Sequence, residues 1–337
     1  MHSNQWVKCV AKIYLLIMAK TTTFFFFTLI LTLTTLVLTM LWSGVLYRFS
    51  NMEHLVRKGH KYNRPRNKTS KRLLYMTFDD GPNFGTEVVL DAFKASGGRG
   101  TFFINCLRIC TCETKLEPVY YEKGNCSANQ AALLRMVQEG HTLGDHSSDH
   151  MAHNHVGHGF HYVNGKRDLP YFNEANIAPI AAFLRGHGVE ESLVARAEET
   201  MRVVKRLPFT DIWHVPGVRT ISKDTRARRV AGAIGRAGGN VYGWDLHWGL
   251  HWNMRTRRET RQVVGVQAMI AQLRSGRGRL PGKIVFLSHD YIHLRPDTSN
   301  PRLDKTMVSG SKDLEIFITG ALSKGWSLRT LETYPTD

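Results

Sequence analysis

The chain has 337 residues, of which 42% are hydrophobic and 22% are charged; this composition excludes a wholly disordered, collagen-like or coiled-coil protein. Lysine and arginine number 45 against 28 acidic residues, and the net charge of +17 favours acidic partners such as anionic polysaccharide, anionic lipid or nucleic acid. The apolar residues are concentrated in one early segment, which excludes a membrane protein with many spans.

That early segment, residues 24–46, is uncharged and 23 residues long. A helix rises about 1.5 Å per residue, so this segment is long enough to cross a hydrocarbon core of about 30 Å. We predict a transmembrane signal anchor here. Residues 1–23 form a cytoplasmic tail, because Lys8, Lys12 and Lys20 lie before the segment without any acidic residue. The alternative is a cleaved signal peptide, although its apolar region is normally shorter. Both readings place the rest of the chain in a lumen or outside the cell.

Two further features agree with that compartment. Asn67 and Asn125 each begin an N-glycosylation acceptor triplet. Four cysteines are clustered, which predicts two disulfides with three possible pairings. They are Cys106, Cys110, Cys112 and Cys126. A zinc site is the alternative, although the spacing of these cysteines is not one of the familiar zinc-ligand patterns.

Beyond a polar, basic linker at residues 47–72, the chain alternates strands and helices as one domain over residues 73–333. The predicted strands cover residues 73–78, 101–104, 211–213, 240–244 and 283–287. The predicted helices cover residues 86–96, the segment between Ser127 and Gly140, and residues 190–207, 223–237, 256–274 and 313–324. Strands separated by helices predict an α/β fold with parallel strands, and the length suits one (β/α) barrel.

Titratable residues follow four of these predicted strands. In β/α barrels the catalytic groups lie at the carboxyl ends of the strands. The residues at these ends are Asp79, Asp80, His214, Asp245, His289 and Asp290. The simpler alternative is that each of them caps the helix that follows its strand.

His146 and His150 form a second candidate group. Residues four apart lie on one face of a helix, with Cβ atoms about 5–6 Å apart, so both imidazoles could bind one metal ion. Two histidines and one carboxylate form a ligand set with open positions for water and substrate. A solvated histidine-rich loop is the alternative, because the chain contains 16 histidines.

Three segments resemble the signature motifs of one family. Residues 77–82 read Thr-Phe-Asp-Asp-Gly-Pro, residues 140–150 carry Gly-His followed by His-Ser-Ser-Asp-His, and residues 284–290 contain Leu-Ser-His. They are similar, in this order, to the motifs of the polysaccharide deacetylases, the NodB-homology or carbohydrate esterase family 4 proteins. The resemblance extends over about residues 73–331, with a cysteine-bearing insertion and a histidine-rich one near residues 153–187. It implies a distorted (β/α) barrel.

The resemblance also implies roles for individual residues. The metal, usually zinc, would be held by Asp80, His146 and His150. Asp79 would be the general base that acts on water, and His289 the general acid that protonates the leaving amine.

Further roles follow from the remaining motifs of the family. Leu287 would line the pocket for the acetyl methyl group, and Trp244 and Pro216 would line the substrate site. Trp244-Asp245 resembles the fourth motif, in which Asp245 would orient His289.

The third motif departs from the family. The family places an arginine one or two residues before a proline, and this arginine contacts the base. In residues 213–219, His214 stands in the place of the arginine before Pro216, and Arg219 follows the proline. We predict that one of these two residues contacts Asp79. Contact by His214 would make activity depend on its charge.

The expected function is hydrolysis of N-acetyl groups on a glycan such as chitin. The alternative is a catalytically inactive, membrane-anchored carbohydrate-binding protein that retains the fold. The expected partners are an acetylated polysaccharide and, through the N-terminal helix, a membrane. Nucleic acid is not expected, and the sequence leaves the oligomeric state open.

Overall fold

The computed structural model describes residues 34–35, 71–112, 126–148, 150, 168–219, 224–249, 251–253, 258–260, 265–275, 278–294 and 309–336. The chain divides into two units, residues 1–68 and residues 69–337. The predicted tail, nearly all of the anchor, most of the linker and the acceptor residues Asn67 and Asn125 lie outside the described residues. Within the described part of the chain, we find no helix with the length and apolarity needed to cross a bilayer.

The second unit contains twelve described strands and seven described α-helices. The strands are β1 (Arg72–Gly81), β2 (Thr101–Ile104), β3 (Thr142–Asp145), β4 (Val204–Lys205), β5 (Asn240–Val241), β6 (Leu246–Trp248), β7 (His251–Asn253), β8 (Arg258–Thr260), β9 (Lys283–His289), β10 (His293–Leu294), β11 (Ser309–Gly310) and β12 (Trp326–Arg329). The helices are α1 (Thr86–Ser96), α2 (Cys126–Gln138), α3 (Asp168–Gly186), α4 (Glu191–Val203), α5 (Thr225–Arg236), α6 (Val266–Ser275) and α7 (Ser311–Ser323).

Eight strands form one parallel sheet in the order β5-β4-β3-β2-β1-β9-β6, with β12 beside the first half of β1. Residues 240–248 pair with β4 at their start and with β9 at their end, so this one segment joins the two edges of the sheet. Strands with helical crossovers must run parallel, and the predicted α/β class is confirmed. The carboxyl ends of β1, β3 and β9 therefore lie at the same side.

The sheet is buried on both faces. Along β1, Leu74, Met76 and Phe78 pack in the larger apolar cluster together with residues of the helices. The alternate residue Tyr75 packs in a second cluster, inside the curve of the sheet, with side chains from β2, β4 and β9. This alternation follows from the two-residue period of a strand, and it decides which side chains face the interior.

Two disulfides join the four clustered cysteines. Cys106 pairs with Cys112, and Cys110 pairs with Cys126. The prediction of two disulfides is confirmed, and the zinc alternative for these cysteines is wrong. The pair Cys110–Cys126 links the short 3-10 turn after β2 to the start of α2.

Replacing Cys110 and Cys126 together by serine should lower the free energy of unfolding by about 3 kcal/mol. The bridge closes a loop with a sequence separation of 16 residues, and opening it increases the conformational freedom of the unfolded chain. Urea unfolding of the oxidised parent and variant measures the loss. A reductant that opens the bridge should lower the free energy of unfolding of the parent, whereas the double variant no longer has this bridge to lose. Equal urea midpoints with equal slopes would contradict the prediction.

Several predicted boundaries are wrong. The helix predicted to reach residue 207 ends at Val203, because Val204 and Lys205 join the sheet as β4. The strand predicted over 211–213 does not form, although Ile212 and Trp213 are buried. The strand predicted over 240–244 is interrupted after Val241.

Two helices also differ from the sequence-based prediction. The helix predicted over 256–274 begins only at Val266, and residues 258–260 form β8 instead. Helix α3 lies within the segment near residues 153–187 that is interpreted from the sequence as a histidine-rich insertion. Its helical residues from Ile177 to Leu184 pack in the larger apolar cluster, which is the tertiary contact that stabilises it.

Candidate active site

Both carboxylates at the end of β1 face one site. Asp79 lies in register with His289 of β9 and continues the inward alternation of Tyr75 and Thr77. A regular strand would direct Asp80 to the opposite face. Asp80 has instead a left-handed backbone with φ of 68°, at a shift in register between Phe78 and Gly81. Aspartate tolerates this conformation better than most residues, and here it brings two adjacent carboxylates to the same place.

The two histidines after β3 reach the same site from a loop. The prediction that they share a helical face is wrong, because Ser147 and His150 have left-handed backbones with φ of 66° and 57°. The turn still brings the two imidazoles together, with ring centroids 4.9 Å apart. The Nε2 atoms of His146 and His150 lie 3.3 Å and 2.9 Å from Oδ1 of Asp80.

These three residues have the properties of a metal-binding group. One ligand atom from each of Asp80, His146 and His150 lies within 4.8 Å of the others, and all three residues are buried. Oδ1 of Asp80 is buried but makes no hydrogen bond of normal geometry to any residue that the structure describes. Nδ1 of His146 lies 2.8 Å from the carbonyl oxygen of Arg206, which can only accept. Nδ1 therefore carries the proton, and Nε2 keeps its lone pair for a metal.

The charges of the site also favour a cation. Burial alone would raise the pKa of Asp80, but His150, His146 and His289 together hold the pKa of this carboxyl well below its usual value. Burial opposes protonation of His146, yet Asp79 and Asp80 raise the pKa of its imidazole. Negative charge is thus concentrated on two neighbouring buried carboxylates, which a divalent ion would neutralise.

Arg206 holds Asp79 in place. Its Nη1 donates to Oδ1 of Asp79 and to Oγ1 of Thr77, each at 2.7 Å. Its Nε and Nη2 donate to the carbonyl oxygens of Tyr242 and Gly243 at 3.0 Å and 2.9 Å. The guanidinium is fully buried over the ring of Phe103. A planar group with all three nitrogens engaged in hydrogen bonds fixes the direction of the carboxylate that it binds.

The prediction that His214 or Arg219 contacts Asp79 is therefore wrong. His214 is exposed, pairs through its backbone with Val241, and packs its ring against Gly235 of α5. Arg219 is exposed in the following loop, and Pro216 is exposed there as well.

The sequence did contain a signal for Arg206. Arg206-Leu207-Pro208 places an arginine two residues before a proline, as the family pattern requires. The signal was missed because the helix was predicted to continue through residue 207.

Asp245 does not reach His289. Its carboxylate accepts hydrogen bonds from the backbone N–H groups of Arg279 and Val285 at 2.9 Å and 2.8 Å. Residues 246–248 continue as β6, so Asp245 lies level with Val285, below the carboxyl end of the strands. Burial raises its pKa to about 6. The predicted orienting role is wrong.

His289 faces the metal group from β9. Its Nε2 lies 3.8 Å from Oδ2 of Asp80, and its ring is 5.8 Å from that of His247 and 5.0 Å from that of Tyr291, measured between centroids. Burial lowers the pKa of His289. Leu287 is buried and lies two residues earlier on the same side of β9.

Aromatic side chains line the rim of the site. Phe209 is 65% exposed, and its ring lies edge-on to His150 with centroids 4.4 Å apart. Trp244 is half-buried and lies 5.9 Å from the guanidinium carbon of Arg206. The arrangement can hold a metal, accept a proton at Asp79, donate one from His289, and offer apolar faces to a ring-shaped substrate.

Residues 66–162 match the sequence profile of the family described as polysaccharide deacetylase. This match supports the family that the signature motifs predicted, the NodB-homology or carbohydrate esterase family 4 deacetylases. Among curated relatives, a chitin deacetylase of Arthroderma benhamiae is 36% identical over 75 residues, 22% of this chain and 16% of the relative. A probable peptidoglycan-N-acetylglucosamine deacetylase of the same organism is 31% identical over 85 residues, 25% of this chain and 16% of the relative. The chain thus spans about a sixth of the length of the curated relatives it matches.

Two solved structures are similar to this chain over most of its length. The catalytic domain of a peptidoglycan N-acetylglucosamine deacetylase from Eubacterium rectale gives a TM-score of 0.47 at 16% identity, covering 82% of this chain and 96% of that one. A carbohydrate esterase family 4 protein of Streptococcus mutans gives 0.44 at 19% identity, covering 77% and 86%.

Proposed function

We propose that this protein is a metal-dependent hydrolase that removes N-acetyl groups from a polysaccharide, such as chitin or a related N-acetylglucosamine glycan. The observation that carries the proposal is the convergence of Asp80, His146 and His150 beside the carboxylate of Asp79, with His289 opposite. The two curated relatives are a chitin deacetylase and a probable peptidoglycan-N-acetylglucosamine deacetylase, which supports the same chemistry.

The metal would be held by Asp80, His146 and His150. Two imidazoles and one carboxylate form a ligand set that is typical of zinc, so we propose zinc as the metal. When bound, it would polarise the amide carbonyl and make water in the site more acidic. Asp79 has one oxygen engaged by Arg206, while Oδ2 lies 3.7 Å from Nε2 of His146 and so faces the ligand group. Oδ2 would accept the proton of the attacking water.

His289 would donate a proton to the nitrogen of the leaving amine. Its Nε2 lies 3.8 Å from Oδ2 of Asp80, whereas the two ligand histidines contact Oδ1 of the same carboxylate. Because burial lowers the pKa of His289, its protonated form is a stronger acid than a free imidazolium. Leu287 and Trp244 would contact the acetyl group and the sugar.

The proposal includes a secretory location, with a single membrane anchor at residues 24–46 and the domain on the luminal or outer side. The two disulfides support this, since such bonds persist in oxidising compartments. The contact of Arg206 with the proposed base Asp79 favours an active enzyme over the alternative of an inactive carbohydrate-binding protein.

The test is acetate release by the full-length chain from N-acetylglucosamine oligomers, with O-acetylated glycans and peptidoglycan fragments alongside. A chelator should reduce release at least about tenfold, and added Zn²⁺ should restore it, because chelation removes the ion that would polarise the amide carbonyl and make water in the site more acidic. The chelated protein with added Mg²⁺ is the control. Acetate release that persists without metal, or no release from any of these glycans, would reject the proposal.

A further inference from the structure

A second buried charge network lies directly behind the metal ligands. Asp145 is the last residue of β3 and precedes His146 in the chain. Its Oδ2 accepts a hydrogen bond from Nζ of Lys205 at 2.8 Å, and its Oδ1 accepts one from Nδ2 of Asn176 at 2.6 Å. Lys205 also donates to the carbonyl oxygen of Met201 at 3.0 Å. Asp145, Lys205 and Asn176 are at most 2% exposed.

This network reaches the backbone of the metal-binding loop. Oδ1 of Asp145 also accepts a hydrogen bond from the N–H of Ser147 at 3.0 Å, which forms a turn closed by the aspartate side chain. Ser147 has φ of 66° and lies between the two ligand histidines. A non-glycine residue keeps this backbone only where its surroundings hold it. The carboxylate of Asp145 is one of the groups that hold it.

Lys205 and Arg206 lie on opposite faces of the sheet. Arg206 faces the interior, where its side chain binds Asp79 and its carbonyl oxygen accepts from Nδ1 of His146. Lys205 faces the helices, where it binds Asp145. The backbone N–H of Arg206 also donates to the carbonyl oxygen of Asp145 at 3.0 Å. The dipeptide Lys205-Arg206 therefore contacts the proposed base Asp79, the proposed metal ligand His146, and Asp145, which holds the turn at Ser147.

We propose that Asp145 and Lys205 are positioning residues for the metal: Lys205 holds the carboxylate of Asp145, whose Oδ1 fixes the turn at Ser147 and so the separation of His146 and His150. This inference rests on the metal site of the proposed function. It assigns Asp145 no contact with substrate or metal. The side-chain oxygen at position 145 orients the loop, and Lys205 compensates the charge that a buried aspartate brings.

Two double variants separate this role from a general contribution to stability. Asp145→Asn with Lys205→Met removes both charges and keeps an oxygen that can accept from Ser147. Asp145→Ala with Lys205→Met removes the charges and the oxygen. Neither leaves a buried charge without a partner, so both should fold. The zinc dissociation constant, measured by titrating the metal-free full-length chain with Zn²⁺, and the visible absorption of the Co²⁺-substituted protein are the readouts.

The Asn/Met variant should bind Zn²⁺ within about fivefold of the parent, with an unchanged Co²⁺ spectrum. The Ala/Met variant should bind it about 10–100-fold more weakly, the usual effect of removing a group that orients metal ligands. Lys94→Met on the exposed face of α1 is the control, expected to match the parent. Equal zinc affinity in the two double variants, whether both strong or both weak, would overturn the inference. A parent that binds Zn²⁺ but releases no acetate would instead reject the proposed function and leave the inference standing.

Discussion

Replacing Asp79 by asparagine is expected to lower the rate of acetate release about 10³-fold, within the range of general-base contributions. Asparagine has nearly the same shape, and its carbonyl oxygen can still accept from Nη1 of Arg206, as Oδ1 of Asp79 does at 2.7 Å. Its amide cannot take a proton from water at the position of Oδ2. Because Asp79 is not one of the three ligands, zinc affinity should change only a few-fold.

Steady-state acetate release and zinc titration of the same preparations measure these two effects. Asp91→Asn on the exposed face of α1 is the matched control and should retain the parent rate. Asp80→Asn is the informative contrast, because it should lose zinc affinity and activity together. An Asp79→Asn protein that keeps more than about a tenth of the parent rate would show that another group accepts the proton.

The sequence predicted those parts of the site in which one short segment contains the reactive side chains and also determines where they lie. Asp79, Asp80 and His289 follow buried strands that pair in register, so the ends of these strands bring them together. The pair His146 and His150 was also predicted, although through a helix that does not form. Four residues of spacing allow two imidazoles to meet in more than one backbone conformation.

The parts that were missed depend on tertiary contacts. Lys205 and its neighbour Val204 form a two-residue strand at the end of a helical pattern, and only their pairing with β3 and β5 defines it. Asp245 was placed at a strand end because the strand predicted over 240–244 stopped just before it, whereas the chain continues as β6 at Leu246–Trp248. Such short strands have no periodicity of their own to detect.

Backbone conformation was a further limit. Five described non-glycine residues have positive φ, and four of them surround the site: Asp80, Ser147, His150 and Phe209. Asp80 precedes the turn residues Gly81-Pro82, but no glycine lies next to Ser147, His150 or Phe209 in the sequence. Each such residue costs of order 1–3 kcal/mol and persists only where surrounding contacts hold it. The hydrogen bond from Ser147 N–H to Asp145 is one of those contacts.

Replacing Arg206 by methionine should reduce both stability and activity. The guanidinium is fully buried and is the partner of Asp79 at 2.7 Å, so its removal leaves a buried carboxylate unpaired. Breaking a buried pair in this way costs about 3–5 kcal/mol in the free energy of unfolding. Acetate release should fall at least about 10²-fold, because the base loses the donors that orient it. Urea unfolding of the zinc-loaded protein and acetate release at a temperature where it stays folded measure the two effects.

The controls come from the residues that the sequence wrongly placed beside Asp79. His214→Ala and Arg219→Met alter exposed side chains and should leave the rate within about twofold and the free energy of unfolding within about 0.5 kcal/mol. Arg206→Lys keeps a charge but cannot reproduce the planar set of donors to Asp79, Tyr242 and Gly243. It should recover part of the stability and little of the activity. If His214→Ala or Arg219→Met lowered the rate as strongly as Arg206→Met, Asp79 would be oriented from the loop after all, and the role of Arg206 would be structural alone.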